Sequence, residues 1–300
     1  MVRSVVVGLD GSAESRAAAE WAAREAKRRF LPLRLVHVRE TVPAPMTLAP
    51  LLGAPPAEDR WDIPRGAAEE LRSRHPGLDV TVDQVPGRPA DVLTEAAKDA
   101  VLLVLGSRGL GGVGGFLVGS VGQAVVAHAE QPVVLVRAGE RVADGQAADP
   151  SVIPFAGTPF GPVVLGLDTD SPDEAVMTFA FEAAARRVAP LRIVHAWDLP
   201  PYFAYGLPAD PELNALLAKQ EAVAVAEVLH RWKEKYPAVT VVEESRAGNP
   251  AVHLVDASRE ASLVVVGRRI RRSAFGAHIG PVTHAVLHHA AAPVAVVAHD

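Results

Sequence analysis

Apolar residues along this chain fall in short unbroken runs, separated by longer stretches in which they recur every three or four positions. The runs Val5–Leu9, Leu33–Val38, Val80–Val85, Val101–Leu105 and Val133–Val136 predict five strands covered on both faces, the pattern of a parallel sheet. Between the first two, Ser15–Phe30 carries apolar residues at helical spacing, with Ser12 placed to cap the helix. Strands alternating with helices predict crossover connections and a doubly wound α/β sandwich. Such sheets bind ligands beyond the carboxyl ends of their strands, where the strand order reverses.

The pattern is then written a second time. Val5-Val6-Val7-Gly8-Leu9-Asp10 returns as Val163-Val164-Leu165-Gly166-Leu167-Asp168, and Pro32–His37 returns as Pro190–His195, both 158 positions later. Further on, Gly87-Arg88-Pro89-Ala90 is answered by Gly248-Asn249-Pro250-Ala251, and Pro132–Val136 by Pro293–Val297, now 161 positions later. A three-residue insertion in the second copy accounts for the change. Ser171-Pro172, Asp210-Pro211 and Asn249-Pro250 predict helix starts in that copy. Between the copies, Gly139–Gly161 collects Gly, Ala, Asp and Pro without apolar periodicity, as a linker does. The expected organisation is a domain over 1–140, a linker over 141–160 and a domain over 161–300, each a five-stranded doubly wound α/β unit.

The candidate chemistry lies after the fourth strand, where Gly106–Ser120 contains seven glycines in fifteen residues before a helix starting near Val121. Glycine lets backbone N–H groups converge and a ligand approach closely, and the helix start adds free donors and a positive dipole end. That is the physical description of a phosphate cradle. Two familiar versions do not fit. The turn after the first strand, Gly8-Leu9-Asp10-Gly11-Ser12, is not the dinucleotide fingerprint, and no lysine lies between Lys98 and Lys219 to complete a P-loop.

The spacing Gly106-x2-Gly109-x9-Gly119-Ser120 is similar to the ATP-binding signature of universal stress proteins, G-x2-G-x9-G-(S/T). With the early Asp10 and the duplication, the chain resembles the tandem-domain members of that family known from actinobacteria. The resemblance implies the adenine nucleotide alpha hydrolase-like fold used twice, and ATP, with or without Mg, as ligand. It further implies that Gly8 and Asp10 hold the adenosine, that Val38 meets adenine through its main chain, and that Gly106, Arg108, Gly109, Gly119, Ser120 and Val121 surround ribose and phosphates. Asp10 has an alternative role as a helix cap. In the second copy Gly166, Asp168, Gly267 and Gly280 persist, but Ile270 stands where the second glycine belongs and Pro281 replaces the serine. Arg268, Arg269, Arg271 and Arg272 cluster there, either as substitute phosphate ligands or as a surface of a copy that no longer binds nucleotide.

Composition narrows the functions further. Thirty Lys and Arg against 35 Asp and Glu give a net charge of −5, so no global basic field is available for nucleic acid. Cysteine is absent, which removes thiol chemistry and suits a reducing compartment. No leader pattern opens the chain, and its apolar runs fall far short of the ~18 residues of a membrane helix. The expected location is cytoplasmic. His284 and His288, four apart beside His278 and His289, have the spacing of a metal pair but no evident third ligand, so packing or helix capping is the reading for them. Trp21, Trp61, Trp197 and Trp232 fall on or beside apolar segments and read as core or interface. The proline-rich stretches Val42–Pro64 and Trp197–Pro211 read as surface loops, with lids over the adenine side as the alternative.

These features favour an ATP-binding regulatory module of the stress response over a slow ATPase, for which no lysine or general base accompanies the loop. A structural interaction protein is the third reading. Edge strands Val133–Val136 and Val294–Val297 offer pairing either between the two copies or between two chains; the family resemblance implies a homodimer, with a further protein partner unidentified.

Overall fold

The computed structural model describes residues 3–40, 62–107, 118–138, 160–198, 211–270 and 279–300. The chain divides into two compact units, Met1–Gly139 and Glu140–Asp300. No helix among the described residues is long and apolar enough to cross a membrane.

In the first unit β1 (Ser4–Leu9), β2 (Leu33–Arg39), β3 (Val80–Pro86), β4 (Ala100–Gly106) and β5 (Val133–Val136) form a parallel sheet in the order β3-β2-β1-β4-β5. Helices α1 (Ala13–Arg29) and α2 (Asp62–Arg74) pack together on one face. On the other face, α3 (Pro89–Lys98) and α4 (Ser120–His128) pack together. The faces follow from side-chain alternation. A Cβ on Gly106 would point into α1, whereas Leu105 faces Leu93 of α3, and Leu135 lies against Gly122 of α4. Val5, Val6, Val7, Leu102, Leu103 and Val104 are fully buried, as unbroken apolar runs in a two-sided sheet require.

The second unit repeats this with β6 (Val163–Gly166), β7 (Leu191–Trp197), β8 (Val241–Ala247), β9 (Leu263–Arg269) and β10 (Val294–His299), in the order β8-β7-β6-β9-β10. Its helices are α5 (Glu174–Arg187), α6 (Pro211–Lys235), α7 (Pro250–Ala257) and α8 (Pro281–His289). In each unit the order reverses between the first and fourth strands, which opens a crevice at their carboxyl ends.

Several sequence expectations are met in detail. Ser12 caps α1 by accepting the Ser15 N–H at 3.0 Å, and Asn249 caps α7 with Pro250 in its first turn. One start is displaced: α5 is capped by Asp173, which accepts from the N–H groups of Ala175 and Val176, so Ser171-Pro172 lies before the helix. The Asp173 carboxylate satisfies two first-turn amides and its charge suits the positive end of the helix dipole. Trp21 and Trp232 are core residues, the latter stacked with Phe181 at 5.5 Å, and Trp197 is half-buried at the end of β7. Trp61, and nearly all of the two proline-rich stretches, lie outside the described residues.

Both first helices end the same way. Phe30 and Val188 adopt left-handed conformations, φ 54° and 50°, in paired-bond caps in which Leu31 N–H reaches Ala26 C=O and Ala189 N–H reaches Ala184 C=O. Glycine ordinarily occupies this place, and a β-branched residue there is strained. Val188 is 74% exposed and so has little burial to offset that strain. Val188→Gly is expected to stabilise the second unit by about 1 kcal/mol. Urea unfolding measures this directly, and an unchanged or lower midpoint would contradict it.

Candidate functional site

In the first unit β1 and β4 run side by side, with Val7 paired to Val104, and both chains leave the sheet at the switch point. Asp10 follows β1. Its Oδ1 accepts from the Ser12 N–H at 2.9 Å and the Ser12 hydroxyl at 2.6 Å, and that hydroxyl accepts in turn from Ser15 N–H. Asp10 therefore braces the cap of α1, while the cap itself is Ser12.

The glycines flanking this crevice serve packing. A Cβ on Gly8 would lie 2.7 Å from Leu105 Cδ2 and 3.1 Å from Leu93 Cδ2. On Gly106 it would lie 2.8 Å from the Glu14 carbonyl carbon and 2.9 Å from the Ser15 nitrogen. Without a side chain at 106, the start of α1 can rest directly on the end of β4.

Beyond Gly106 the segment 108–117, with Arg108 and Gly109, lies outside the described residues. The residues that flank it are joined by Gly119 N–H donating to Ser107 C=O at 2.8 Å, while Ser107 N–H is anchored on β5 by Val136 C=O at 2.7 Å. Helix α4 then begins at Ser120 with Gly119 as its cap residue, φ −66° and ψ 156°, and no side chain is bonded in the capping position. The first-turn amides of Ser120, Val121 and Gly122 have no intrahelical acceptor by geometry. Together with the helix dipole they make a site for an anion.

Two neighbours of this site carried no role in the sequence reading. Ser107 is 3% exposed, and its Oγ has no hydrogen-bond partner among the described residues. His37, buried in β2 beside half-buried Val38, lies with Nδ1 2.8 Å from Leu9 C=O. Because a carbonyl only accepts, Nδ1 carries the proton and ties β2 to the end of β1. The repeat offered a signal for the histidine. His195 makes the same contact with Leu167 C=O at 3.1 Å, and its Nε2 lies 2.9 Å from Glu221.

The second unit departs from the first at the fourth strand. β9 continues through Arg268 and Arg269, paired with Ala298 and His299 of β10, and Ile270 N–H donates to His299 C=O at 2.6 Å. The first unit's β4–β5 ladder stops at Gly106 and Val136. Arg268 and Arg269 are therefore strand residues, which corrects their reading as part of a loop. Alternation separates them: Arg268 is buried, whereas Arg269 is exposed and lies 3.9 Å from Asp168. Arg271 and Arg272 lie outside the described residues. A Cβ on Gly166 would meet Leu254 at 3.0 Å, and one on Gly267 would meet the His299 ring at 2.8 Å. Gly280 caps α8 facing open space, but Pro281 removes one first-turn donor.

The histidine pair of α8 has ring centroids 4.4 Å apart. Among the described residues no group of three His, Asp or Glu is placed to hold a metal. His128 Nδ1 lies 2.8 Å from Ala124 C=O near the end of α4, a capping contact.

Comparison with known proteins agrees with this architecture. The universal stress protein family profile matches residues 1–137 and again 159–298. A universal stress protein of Mycolicibacterium smegmatis is 34% identical, over 98% of this chain and 96% of its own. Among solved structures, a universal stress protein from Archaeoglobus fulgidus superposes with a TM-score of 0.66 at 17% identity, covering 99% of this chain and 98% of its own. A universal stress protein solved in complex with cAMP is 28% identical over 46% of this chain and 98% of its own, with a TM-score of 0.36.

Proposed function

The chain belongs to the universal stress protein family, and on that premise we propose that its first unit binds an adenine nucleotide, ATP foremost, at the β1–β4 switch point. Nucleotide occupancy then acts as a regulatory signal. The observation that carries this reading is the start of α4, glycine-capped and joined by Gly119 to the end of β4. Its amides and dipole suit a phosphate. On the opposite side of the crevice, Asp10 offers a carboxylate suited to ribose hydroxyls. The glycine-rich sequence of 108–117, with Arg108 and Gly109, supplies further backbone donors and a cation.

The second unit is proposed not to share this activity. Its fourth strand runs on for two residues beyond the point where the first unit turns into the loop, and Asp168 faces Arg269. Protein purified without added nucleotide and then heat-denatured is therefore expected to release, or after loading with ATP to hold, a single adenine nucleotide per chain. A chain that comes empty and fails to bind labelled ATP would overturn the reading. A stoichiometry of two would overturn the assignment to the first unit alone.

A further inference from the structure

Among the described residues, the hydroxyl of Ser107 is a feature of the crevice that its own packing leaves unexplained. Ser107 is nine-tenths buried and more, at 3% exposure, yet its Oγ has no hydrogen-bond partner among the described residues. Its backbone is fully engaged, N–H with Val136 C=O and C=O with Gly119 N–H. A buried hydroxyl without a partner is costly, and alanine would fill the same space without that cost. Such a group is accounted for when a ligand completes it.

Strand geometry gives its direction. Leu105, two residues earlier, faces Leu93 of α3, and Gly106 faces α1. Continued one residue past the end of β4, alternation turns Ser107 toward the face that carries α3 and α4, and its carbonyl meets the Gly119 N–H at the start of α4. Its position along the strand follows from register. Val7 pairs with Val104, the last pair of the β1–β4 register, and Asp10 and Ser107 each stand one residue beyond the end of their strand. β1 and β4 are neighbours, and Gly119 N–H at the start of α4 is bonded to Ser107 C=O at 2.8 Å, so along the crevice Ser107 follows the strand between Asp10, on the sugar side, and the α4 amides, on the phosphate side.

We infer that the Ser107 hydroxyl donates a hydrogen bond to the phosphate nearest the sugar, the one group shared by AMP, ADP and ATP and absent from adenosine. This rests on the proposed nucleotide reading and adds to it a side chain that discriminates nucleotide from nucleoside. The second unit has Arg268 at the equivalent position.

The test is Ser107→Ala in the full chain, with the thermal midpoint measured without nucleotide and affinities measured for AMP, ADP, ATP and adenosine. The expected result is an unchanged or higher midpoint, affinity for all three nucleotides reduced by a similar factor of about 10 to 100, and adenosine binding unaffected. Ser107→Thr, which keeps a hydroxyl, is expected to retain more nucleotide affinity than Ser107→Ala. Nucleotide affinity equal to that of the unaltered protein would overturn the inference while leaving the binding reading intact. A penalty that extends to adenosine, or a lowered midpoint accompanying the loss, would overturn it in favour of a ribose contact or a structural role. If the unaltered chain binds no nucleotide, the reading of the first unit fails, and this inference fails with it.

Discussion

Gly106→Ala is expected to destabilise the first unit by about 3 kcal/mol, while the matching change in the second unit, Gly267→Ala, costs about 1 kcal/mol or less. The two glycines hold the same place in the repeat, so sequence alone would rate the substitutions alike. Their surroundings differ. At Gly106 the new Cβ meets backbone, the Glu14 carbonyl carbon at 2.8 Å and the Ser15 nitrogen at 2.9 Å. Real Cβ atoms do not come so close, and these backbone atoms are fixed because Ser12 and Ser15 cap the helix that carries them. Relief requires moving α1 off β4, which opens the buried contacts of Ala18, Ala22 and Val104. At Gly267 the nearest atom is Nε2 of His299, 2.8 Å away at the end of a side chain that can rotate. Calorimetric unfolding of the two variants checks the contrast. Equal losses would show that the tight approach of α1 to β4 contributes nothing.

The same pair shows where sequence reading succeeds and where it stops. Strands of unbroken Val and Leu, the doubled pattern and the caps at Ser12 and Asn249 are local features, fixed by side chains within a few residues of one another. They were legible for that reason. The reason for each glycine is not local. Gly106 belongs to the ligand signature and Gly8 is a residue that the family resemblance assigns to adenosine, yet at both the space for a side chain is filled by other parts of the first unit: Leu105 and Leu93 in one case, α1 in the other. Of the signature glycines among the described residues, Gly119 has a backbone that any residue can adopt. The arginines of the second unit were misplaced for a related reason. Nothing in Gly267-Arg268-Arg269 reveals that β10 extends to His299 and keeps this segment in the sheet; that depends on a pairing some thirty residues away. Ser107 escaped notice because a serine after a strand is unremarkable until its burial and lack of a partner are seen.

Gly119→Glu separates folding from binding in the opposite sense to Gly106→Ala. With φ −66° and ψ 156°, residue 119 sits in extended backbone that glutamate adopts without strain. Its N–H, which joins the loop ends through Ser107 C=O, is kept. A carboxylate beside the first turn of α4 interacts favourably with the helix dipole, so the stability of the first unit is expected to hold or rise by about 0.5 kcal/mol. That same carboxylate occupies the place proposed for phosphate and repels it. Losing two charge-assisted hydrogen bonds costs about 3 kcal/mol, so nucleotide affinity is expected to fall by about 100-fold or more. Labelled-ATP binding and urea unfolding on one preparation decide the matter. Unchanged affinity would place the phosphates away from α4, and loss of affinity together with loss of stability would make Gly119 a folding residue like Gly106. A stable protein that no longer holds nucleotide would tie the anion to this helix start.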